Sequence, residues 1–426
     1  MTAFIAGLIF LVCLALIFTE KMHRTITAVM GAALMVAAGK IFHFYDEQQA
    51  IAAMDFNTLG LLLGMMVMVS LLEPTGFFQY LAVLAGKLSK GRPVRLLVLL
   101  ATVTTVVSMF LDNVTTVVLV APVTILISEV LGINPIPFLM AEAILSNTGG
   151  VATLVGDPPN VLIASAANFS FIDFLVYSLP VVVVVWFVAL FLIRYLFRRE
   201  LAIPPKDADV VMSLRPEETL TDRKTTIRVL IVLAGAVFLF LIHHLLGLSP
   251  SFVAFSAATV ALVWVQPDVK ATLERVEWSV LAFFCALFVM VGGLEAAGVL
   301  DLVIDLIKPM ALSPDVWFGV TLIWVVAGLS AIVDNVPITI ALIPVIQGLG
   351  ASGVDIRPLW WALAFGAGFG GNGTIVGSTA NIIVVSLSER TRTPITSALW
   401  NKRGLPVMIV TCAVASLLYI LLYRLF

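Results

Sequence analysis

Apolar segments of about 20 residues recur along the whole chain and alternate with short polar segments. A bilayer core about 30 Å thick takes roughly 20 residues of α-helix to cross, so each long apolar segment predicts a membrane-spanning helix. Closely spaced strands with barrel alternation are absent from the pattern, and a helix satisfies its own backbone hydrogen bonds in lipid. We therefore expect an all-α, polytopic membrane protein with helices at about 3–19, 25–41, 57–74, 174–197, 226–246, 250–266, 279–297 and 404–425.

Two apolar segments, at about 96–131 and 316–350, are each broken by a single Asp-Asn pair. The pair lies at residues 112–113 in the first segment and at residues 334–335 in the second. Non-helical backbone at membrane depth is tolerated where protein or a water-filled cavity surrounds it. We therefore predict two re-entrant hairpins, each entering and leaving on one side of the membrane, with their tips at these pairs.

Two further segments, at about 137–166 and 358–388, have centres rich in glycine, and the first also contains a Pro-Pro pair. Glycine allows the backbone to leave helical geometry, and proline cannot continue a helix that it interrupts. We predict two broken helices, whose freed carbonyl and N–H groups can bind ligands near the midplane. The glycines expected to form the breaks are Gly149, Gly150, Gly156, Gly370, Gly371 and Gly377.

The chain repeats itself. The Asp-Asn pair and the block from Glu73 to Gly76 return after 222 residues, and the glycine string returns after 221. Self-similarity at one offset indicates two fused copies of one unit. We assign residues 1–197 to the first unit, 226–426 to the second, and the polar segment 198–225 to the linker. Each unit has five spanning helices, an odd number, so the copies are inverted, as is typical of secondary transporters.

Composition and charge agree with this layout. Hydrophobic residues make up 61% of the chain and charged residues 12%, against about 25% charged in soluble proteins. Of the 24 basic residues, only Lys40, Lys308, Arg357 and Arg424 fall outside the segments assigned to the cytoplasm. The positive-inside rule therefore places the N-terminus outside and the linker in the cytoplasm of a cell (inner) membrane. The first apolar segment lacks a basic n-region and a cleavage site, and predicts a retained helix.

Three carboxylates, Asp112, Asp157 and Asp334, lie deep in apolar sequence. A charge at the bilayer centre costs at least about 2.5–3.5 kcal/mol on insertion scales, so these groups either cap half-helices or serve transport. Because Asp112 and Asp334 occupy equivalent positions of the repeat, we favour a proton or cation site. Asp157 has Ser378 as its counterpart, so the first unit holds two acids that would share a proton. We expect the first unit to bind the coupling ion and the second to contact the substrate.

Neutral donors and acceptors accompany these acids at the tips and breaks. Such groups suit a substrate that forms hydrogen bonds without needing a compensating charge. The predicted substrate-binding residues are Asn113, Asn147, Thr153, Asn160, Asn335, Asn372, Thr374, Ser378 and Asn381.

Other functional classes lack support in the sequence. Cys13, Cys285 and Cys412 are far apart and form no Cys/His cluster, so we expect no metal site and no disulfide framework. We assign no catalytic residue and no cofactor, and we expect neither an enzyme nor a nucleic-acid-binding protein. The phosphate-binding motif Gly-x-x-x-x-Gly-Lys-Ser/Thr does not occur, so any ATPase partner would be a separate protein.

The Asp-Asn tips and the string from Gly149 to Asn160 resemble the ion transporter superfamily over essentially the whole chain. This group includes arsenite efflux permeases, sodium/proton antiporters, dicarboxylate carriers and pink-eyed-dilution proteins. The resemblance implies an elevator-type movement and a homodimer. The tips here read Asp112-Asn113-Val114 and Asp334-Asn335-Val336, which departs from the Ser-Asn-Thr expected of dicarboxylate carriers.

Three transport functions remain open at this point. The leading interpretation, which rests mainly on the resemblance, is efflux of arsenite and antimonite against protons. Arsenous acid is a neutral trihydroxide near pH 7, which the amide and hydroxyl groups would suit. The second is exchange of Na⁺ for H⁺ at the aspartates. Import of an organic anion ranks third, because three acids without a deep Lys or Arg would repel an anion. A membrane protein without transport activity is the remaining alternative.

The predicted orientation can be measured by cysteine labelling. Single cysteines placed in residues 198–225 of a cysteine-free variant should react in intact cells with a membrane-permeant maleimide and not with an impermeant one. Lys308→Cys, on the side expected to face outward, should react with both reagents. Labelling of the linker by the impermeant reagent would overturn the orientation.

Overall fold

A computed structural model describes residues 1–18, 22–206, 208–311, 316–391 and 393–426. The described residues form α-helices with short 3₁₀ and π segments and contain no strand, which confirms the predicted fold class. Seven of the described helices are long and apolar enough to cross a membrane, and several shorter helices are equally apolar. Three charged residues in the segments between predicted helices lie outside the described residues: Glu20, Lys21 and Arg392.

The helices follow the order expected from the repeat. Those of the first unit are α1 (Thr2–Phe18), α2 (Arg24–Phe42), α3 (Glu47–Ala52), α4 (Phe56–Leu72), α5 (Phe77–Ser89), α6 (Pro93–Ser108), α7 (Asn113–Val130), α8 (Ile136–Gly150), α9 (Pro158–Ala167), α10 (Phe171–Asp173) and α11 (Leu179–Leu196). The linker contains α12 (Ala208–Ser213). The second unit contains α13 (Arg223–Ile242), α14 (Pro250–Val265), α15 (Val269–Glu274), α16 (Trp278–Ala296), α17 (Val299–Ala311), α18 (Val316–Ile332), α19 (Asn335–Ala351), α20 (Arg357–Gly370), α21 (Thr379–Ser388) and α22 (Ser397–Leu422).

Both Asp-Asn pairs end one helix and begin the next, as the hairpin prediction requires. Helices α6 and α7 are separated by residues 109–112, and α18 and α19 by residues 333–334. Asp112 is the N-cap of α7, where its carboxylate accepts hydrogen bonds from the backbone N–H and the hydroxyl of Thr115. An N-cap oxygen satisfies an amide that the helix itself leaves unpaired. The acid at this tip therefore helps to begin the second arm of the hairpin.

The two predicted broken helices are α8–α9 and α20–α21. In the first, the helix stops at Gly150 and resumes at Pro158, where a missing N–H at the start of a helix is harmless. Close approach of backbone explains the glycines. A Cβ on Gly156 would lie 2.6 Å from the carbonyl oxygen of Gly150, and one on Gly377 would lie 2.7 Å from that of Gly371. Both breaks are therefore folded back tightly on their own helix ends.

The helices of the two units interlock. Helix α4 packs on α14, and α2 packs on α16. We call α1–α4 with α13–α16 the scaffold bundle. Helix α6 packs on α8, α18 on α20, α7 on α21 and α11 on α22. We call α6–α9, α11 and α18–α22 the core bundle. Each bundle contains helices from both units. Residues that are far apart in sequence therefore lie close together in the region between the bundles.

The linker packs against the first unit. The backbone N–H of Thr221 donates to the carbonyl of Thr75 at 3.0 Å, and that of Lys206 donates to the carbonyl of Leu131 at 2.9 Å. Gly76 has a φ of +78°, and a Cβ there would lie 1.8 Å from the carbonyl oxygen of Thr219. The linker therefore covers the end of α4 and the start of α5.

The tight packing at the breaks predicts a stability effect. Gly156→Ala places a methyl group against the backbone oxygens of Gly150 and Ser108, so it should lower the free energy of unfolding by about 1–3 kcal/mol. Gly235→Ala is the matched control, because a Cβ there meets nothing within 4 Å and alanine favours helix. Thermal unfolding of the purified variants in detergent measures the difference, and equal transitions would contradict the packing explanation.

Candidate functional site

A cavity of about 70 Å³ lies between the scaffold and core bundles. Both hairpin tips and both helix breaks reach it. The acids predicted for ion coupling, Asp112, Asp157 and Asp334, all line it, and so do Asn113, Asn335 and Ser378 from the predicted substrate-binding set. The structure therefore brings together the parts of the repeat that the sequence singled out.

The two walls of the cavity differ in chemistry. The core bundle contributes three aspartates together with the amides and hydroxyls. The scaffold wall is mostly apolar, with Leu62, Met65 and Val69 from α4 and Phe283 and Phe284 from α16, and its charged side chains are Arg24 and Glu277. A bound substrate would therefore form most of its polar contacts with the core bundle and mostly apolar contacts with the scaffold bundle.

The three aspartates have different partners. Asp157 is only 2% exposed, and its carboxylate accepts a hydrogen bond of 2.9 Å from the side-chain amide of Asn335. This bond joins the break of the first unit to the tip of the second. Asp334 pairs with the guanidinium of Arg24 at 3.0 Å and accepts a hydrogen bond from the hydroxyl of Thr379. The two equivalent tips are therefore electrostatically unequal, because among the described residues a cation pairs with Asp334 and none pairs with Asp112.

A network of buried amides connects the two units behind the cavity. The side chain of Asn147 accepts from the amide of Asn113 at 2.8 Å and from the hydroxyl of Ser378 at 2.9 Å. Its amide donates to Asn372 at 3.0 Å and to Asn381 at 3.1 Å. Burial of an amide is costly unless its hydrogen bonds are formed, and here they are. The network fixes the first tip relative to the second break.

Four of the predicted substrate-binding residues serve the backbone of the breaks. The amide of Asn160 donates to the carbonyls of Gly150 and Thr153, and that of Asn381 donates to the carbonyls of Gly371 and Thr374. The hydroxyls of Thr153 and Thr374 donate to hairpin carbonyls of Met109 and Ala331. These four side chains do not line the cavity, and neither do Asn147 and Asn372. A role for them in contacting substrate remains a prediction.

Sequence reasoning missed three residues of the site: Arg24, Glu277 and Thr379. Arg24 is the first residue of α2, where a cation opposes the helix dipole and therefore calls for an acidic partner. A basic residue at the start of a predicted helix was therefore the available sequence signal, although it does not identify Asp334 as the partner. Glu277 precedes α16, and burial together with the charge of Asp112 raises the pKa of its carboxyl group above the usual range. Thr379 gives no signal beyond its place in the repeated string.

The comparisons with known proteins agree with this geometry. The chain matches the family described as citrate transporter (CitMHS) over residues 14–366. It is 39% identical to a 46 kDa membrane protein of Mycobacterium leprae over 97% of both chains. It is 38% identical to an uncharacterized transporter of Mycobacterium tuberculosis, covering all of this chain and 98% of the relative. Human P protein is 30% identical over 97% of this chain and 58% of its own length.

The crystal structure of the YdaH transporter of Alcanivorax borkumensis, described as having an unusual topology, shares the fold. The TM-score is 0.61 at 17% sequence identity, with 99% of this chain and 98% of that chain covered. The similarity therefore extends over both bundles.

The chain is a membrane transporter, because the matching family is described as a citrate transporter and the relative from Mycobacterium tuberculosis is named a transporter. The chain belongs to the citrate transporter family. The prediction of a transporter rather than an enzyme is confirmed. The narrower resemblance to arsenite efflux permeases is not supported by these comparisons, since neither the family description nor these relatives name arsenite or antimonite.

Proposed function

We propose that this protein is a secondary active transporter that imports a small organic anion together with cations. The observation that carries the proposal is the position of Arg24 in the cavity. An anion ranked last from sequence because no deep Lys or Arg was evident, and Arg24 removes that objection. A guanidinium offers the planar, bidentate donors that suit a carboxylate. The citrate transporter description of the family supports the same substrate class.

The charges in the cavity require cations to accompany the anion. Among the described residues that line the cavity, Asp112, Asp157, Asp334 and Glu277 are accompanied by one basic side chain, that of Arg24. Like charges held a few ångströms apart repel strongly at low dielectric, so a free carboxylate substrate would be excluded. Bound H⁺ or Na⁺ would neutralise the acids and allow the anion to enter. Coupling of anion to cation is therefore built into the composition of the site.

The two units would divide this work. In the first, Asp112 and Asp157 would bind the coupling ion. In the second, Asn335, Ser378 and Asp334 would contact the substrate together with Arg24, which comes from the first unit and pairs with Asp334. Arg24 belongs to the scaffold bundle and Asp334 to the core bundle, so their ion pair must break when the bundles move relative to each other. A substrate carboxylate that replaces Asp334 at Arg24 would release this contact.

The distribution of polar groups supports an elevator-type movement. Most polar side chains of the cavity belong to the core bundle, with Arg24 and Glu277 as the exceptions, and the apolar face of α4 and α16 would form a surface along which the core bundle can slide. A homodimer, the cell (inner) membrane and a cytoplasmic linker complete the proposed arrangement.

Two other substrates remain candidates. Efflux of arsenite and antimonite in exchange for protons is favoured by Asn113, Asn335 and Ser378, whose amides and hydroxyl in the cavity match a neutral trihydroxide. Exchange of Na⁺ for H⁺ is favoured by the buried carboxylate of Asp157 beside Asn335, which resembles an oxygen site for a hard cation.

Transport by purified protein in vesicles separates the three functions. We expect uptake of labelled citrate driven by an inward Na⁺ or H⁺ gradient. Arg24→Gln should lower this uptake about tenfold or more, because loss of a charged partner worth at least about 1.4 kcal/mol has that effect. Arg24→Lys should retain part of it, and Arg275→Gln, at an exposed arginine, should not change it.

The outcomes are distinguishable. Arsenite accumulation by inverted vesicles under a proton gradient, without citrate uptake, would establish the efflux function. Exchange of Na⁺ for H⁺ with neither substrate present would establish the antiporter. Citrate uptake that is equal in Arg24→Gln and the parent protein would remove Arg24 from substrate binding.

The division of work has its own test. Asp112→Asn and Asp157→Asn should abolish the dependence of transport on the coupling-ion gradient while leaving some substrate binding, because each removes an ionisable oxygen and keeps the shape. Ser378→Ala and Asn372→Ala should weaken substrate binding and leave the coupling unchanged. Calorimetric binding and the pH profile of transport measure both effects. An unchanged pH profile in both aspartate variants would show the assignment to be wrong.

A further inference from the structure

A second buried acid lies in the core bundle, away from the cavity. Glu142 on α8 is fully buried, and its Oε1 accepts a hydrogen bond from the hydroxyl of Thr124 on α7. Its Oε2 is buried without a hydrogen-bond partner. Unpaired buried polar atoms are rare because each one costs about 1–3 kcal/mol. This carboxyl group therefore invites an explanation beyond packing.

A second orphaned atom lies on the same face of α7. Ser128 is fully buried, and its hydroxyl also has no hydrogen-bond partner. Residues four apart lie on one face of a helix, so Ser128 follows Thr124 one turn nearer the end of α7. Helices α7 and α8 pack against each other. Glu142 and Thr124 are thus in contact, and Ser128 lies one helical turn from Thr124.

The repeat shows that the fold does not need these polar side chains. At the equivalent positions of the second unit, Glu142 is replaced by Leu363, Thr124 by Ile346 and Ser128 by Gly350. The same helix pair thus packs without an acid in α19 and α20. These polar side chains belong to the first unit alone, which is also the unit with two aspartates.

In the part of the chain that the structure describes, no ion pair is formed by Glu142. The helices packed on α8 are α6, α7, α11, α20 and α21. Within these helices the ionisable side chains all lie at exposed positions: Arg95, Glu129, Arg194, Tyr195 and Arg357. A buried carboxylate without a cation is far more costly than the neutral acid. Glu142 therefore holds a proton in this conformation.

We propose that Glu142, with Thr124 and Ser128, forms a second proton-binding site, distinct from the aspartates at the cavity, that is loaded and emptied during the transport cycle. The proton resides on the carboxyl oxygen in the buried state. When it leaves, the hydroxyls of Thr124 and Ser128 can both donate to the carboxylate. The site lies about six residues from the ends of α7 and α8, or roughly 9 Å along the helices. This distance keeps it near the side of the membrane where those ends emerge.

Titration of the acid itself provides the first test and does not depend on the substrate. Infrared difference spectra of the purified protein between two pH values should contain a carboxylic-acid C=O band that Glu142→Gln removes. Glu129→Gln, on the exposed face of α7, should leave the band in place. Thr124→Val removes the hydrogen bond that favours the ionised form, so it should shift the titration of this band to higher pH, whereas Thr124→Ser should not.

Transport provides the second test. Glu142→Gln should lower the number of protons moved per substrate by about one and flatten the pH profile, with substrate binding retained. An unchanged proton count and pH profile, or a spectrum with no titrating band in the wild type, would overturn the proposal. If Glu142→Gln does not fold, the comparison of Thr124→Val with Thr124→Ser decides. Failure of citrate uptake with the band still present would reject the proposed substrate and leave this site standing.

Discussion

The structure depends on satisfying backbone polar groups where helices break inside the membrane. Each exposed carbonyl or N–H there would cost several kcal/mol in lipid. The side-chain amides of Asn160 and Asn381 solve the problem identically in both units, each donating to two carbonyls of its own break. Because these bonds hold the breaks closed, the backbone at the cavity is rigid and the acids keep defined positions.

The symmetry of the backbone is not matched by symmetry of charge. Both tips carry an aspartate, yet one caps its own helix and the other pairs with Arg24. Asp157 and Glu142 have no acidic counterparts in the second unit. The repeat therefore supplies two similar backbones that carry different charges, and under the proposed function the first would bind cations and the second a substrate with oxygen atoms.

Much of this architecture could be predicted from sequence, because it follows from local signals. The Asp-Asn pairs, the glycine strings and the constant offset placed the tips and breaks within a few residues of where α6 to α9 and α18 to α21 begin and end. The interlocking of α4 with α14 and the meeting of Arg24 with Asp334 could not be predicted. Both depend on packing between parts of the chain that are far apart in sequence, for which neither periodicity nor a motif gives a signal.

The exchange of helices between units also bears on how the chain is made. Helix α4 is complete at Leu72, yet the helix it packs on does not begin until Pro250. In the complete protein, Gly64 of α4 packs closely against Ala254 of α14. During synthesis this face of α4 is in the bilayer before α14 has been made. The scaffold bundle can therefore assemble only after more than half of the protein has been inserted. A truncated first half would lack the packing of α4 on α14.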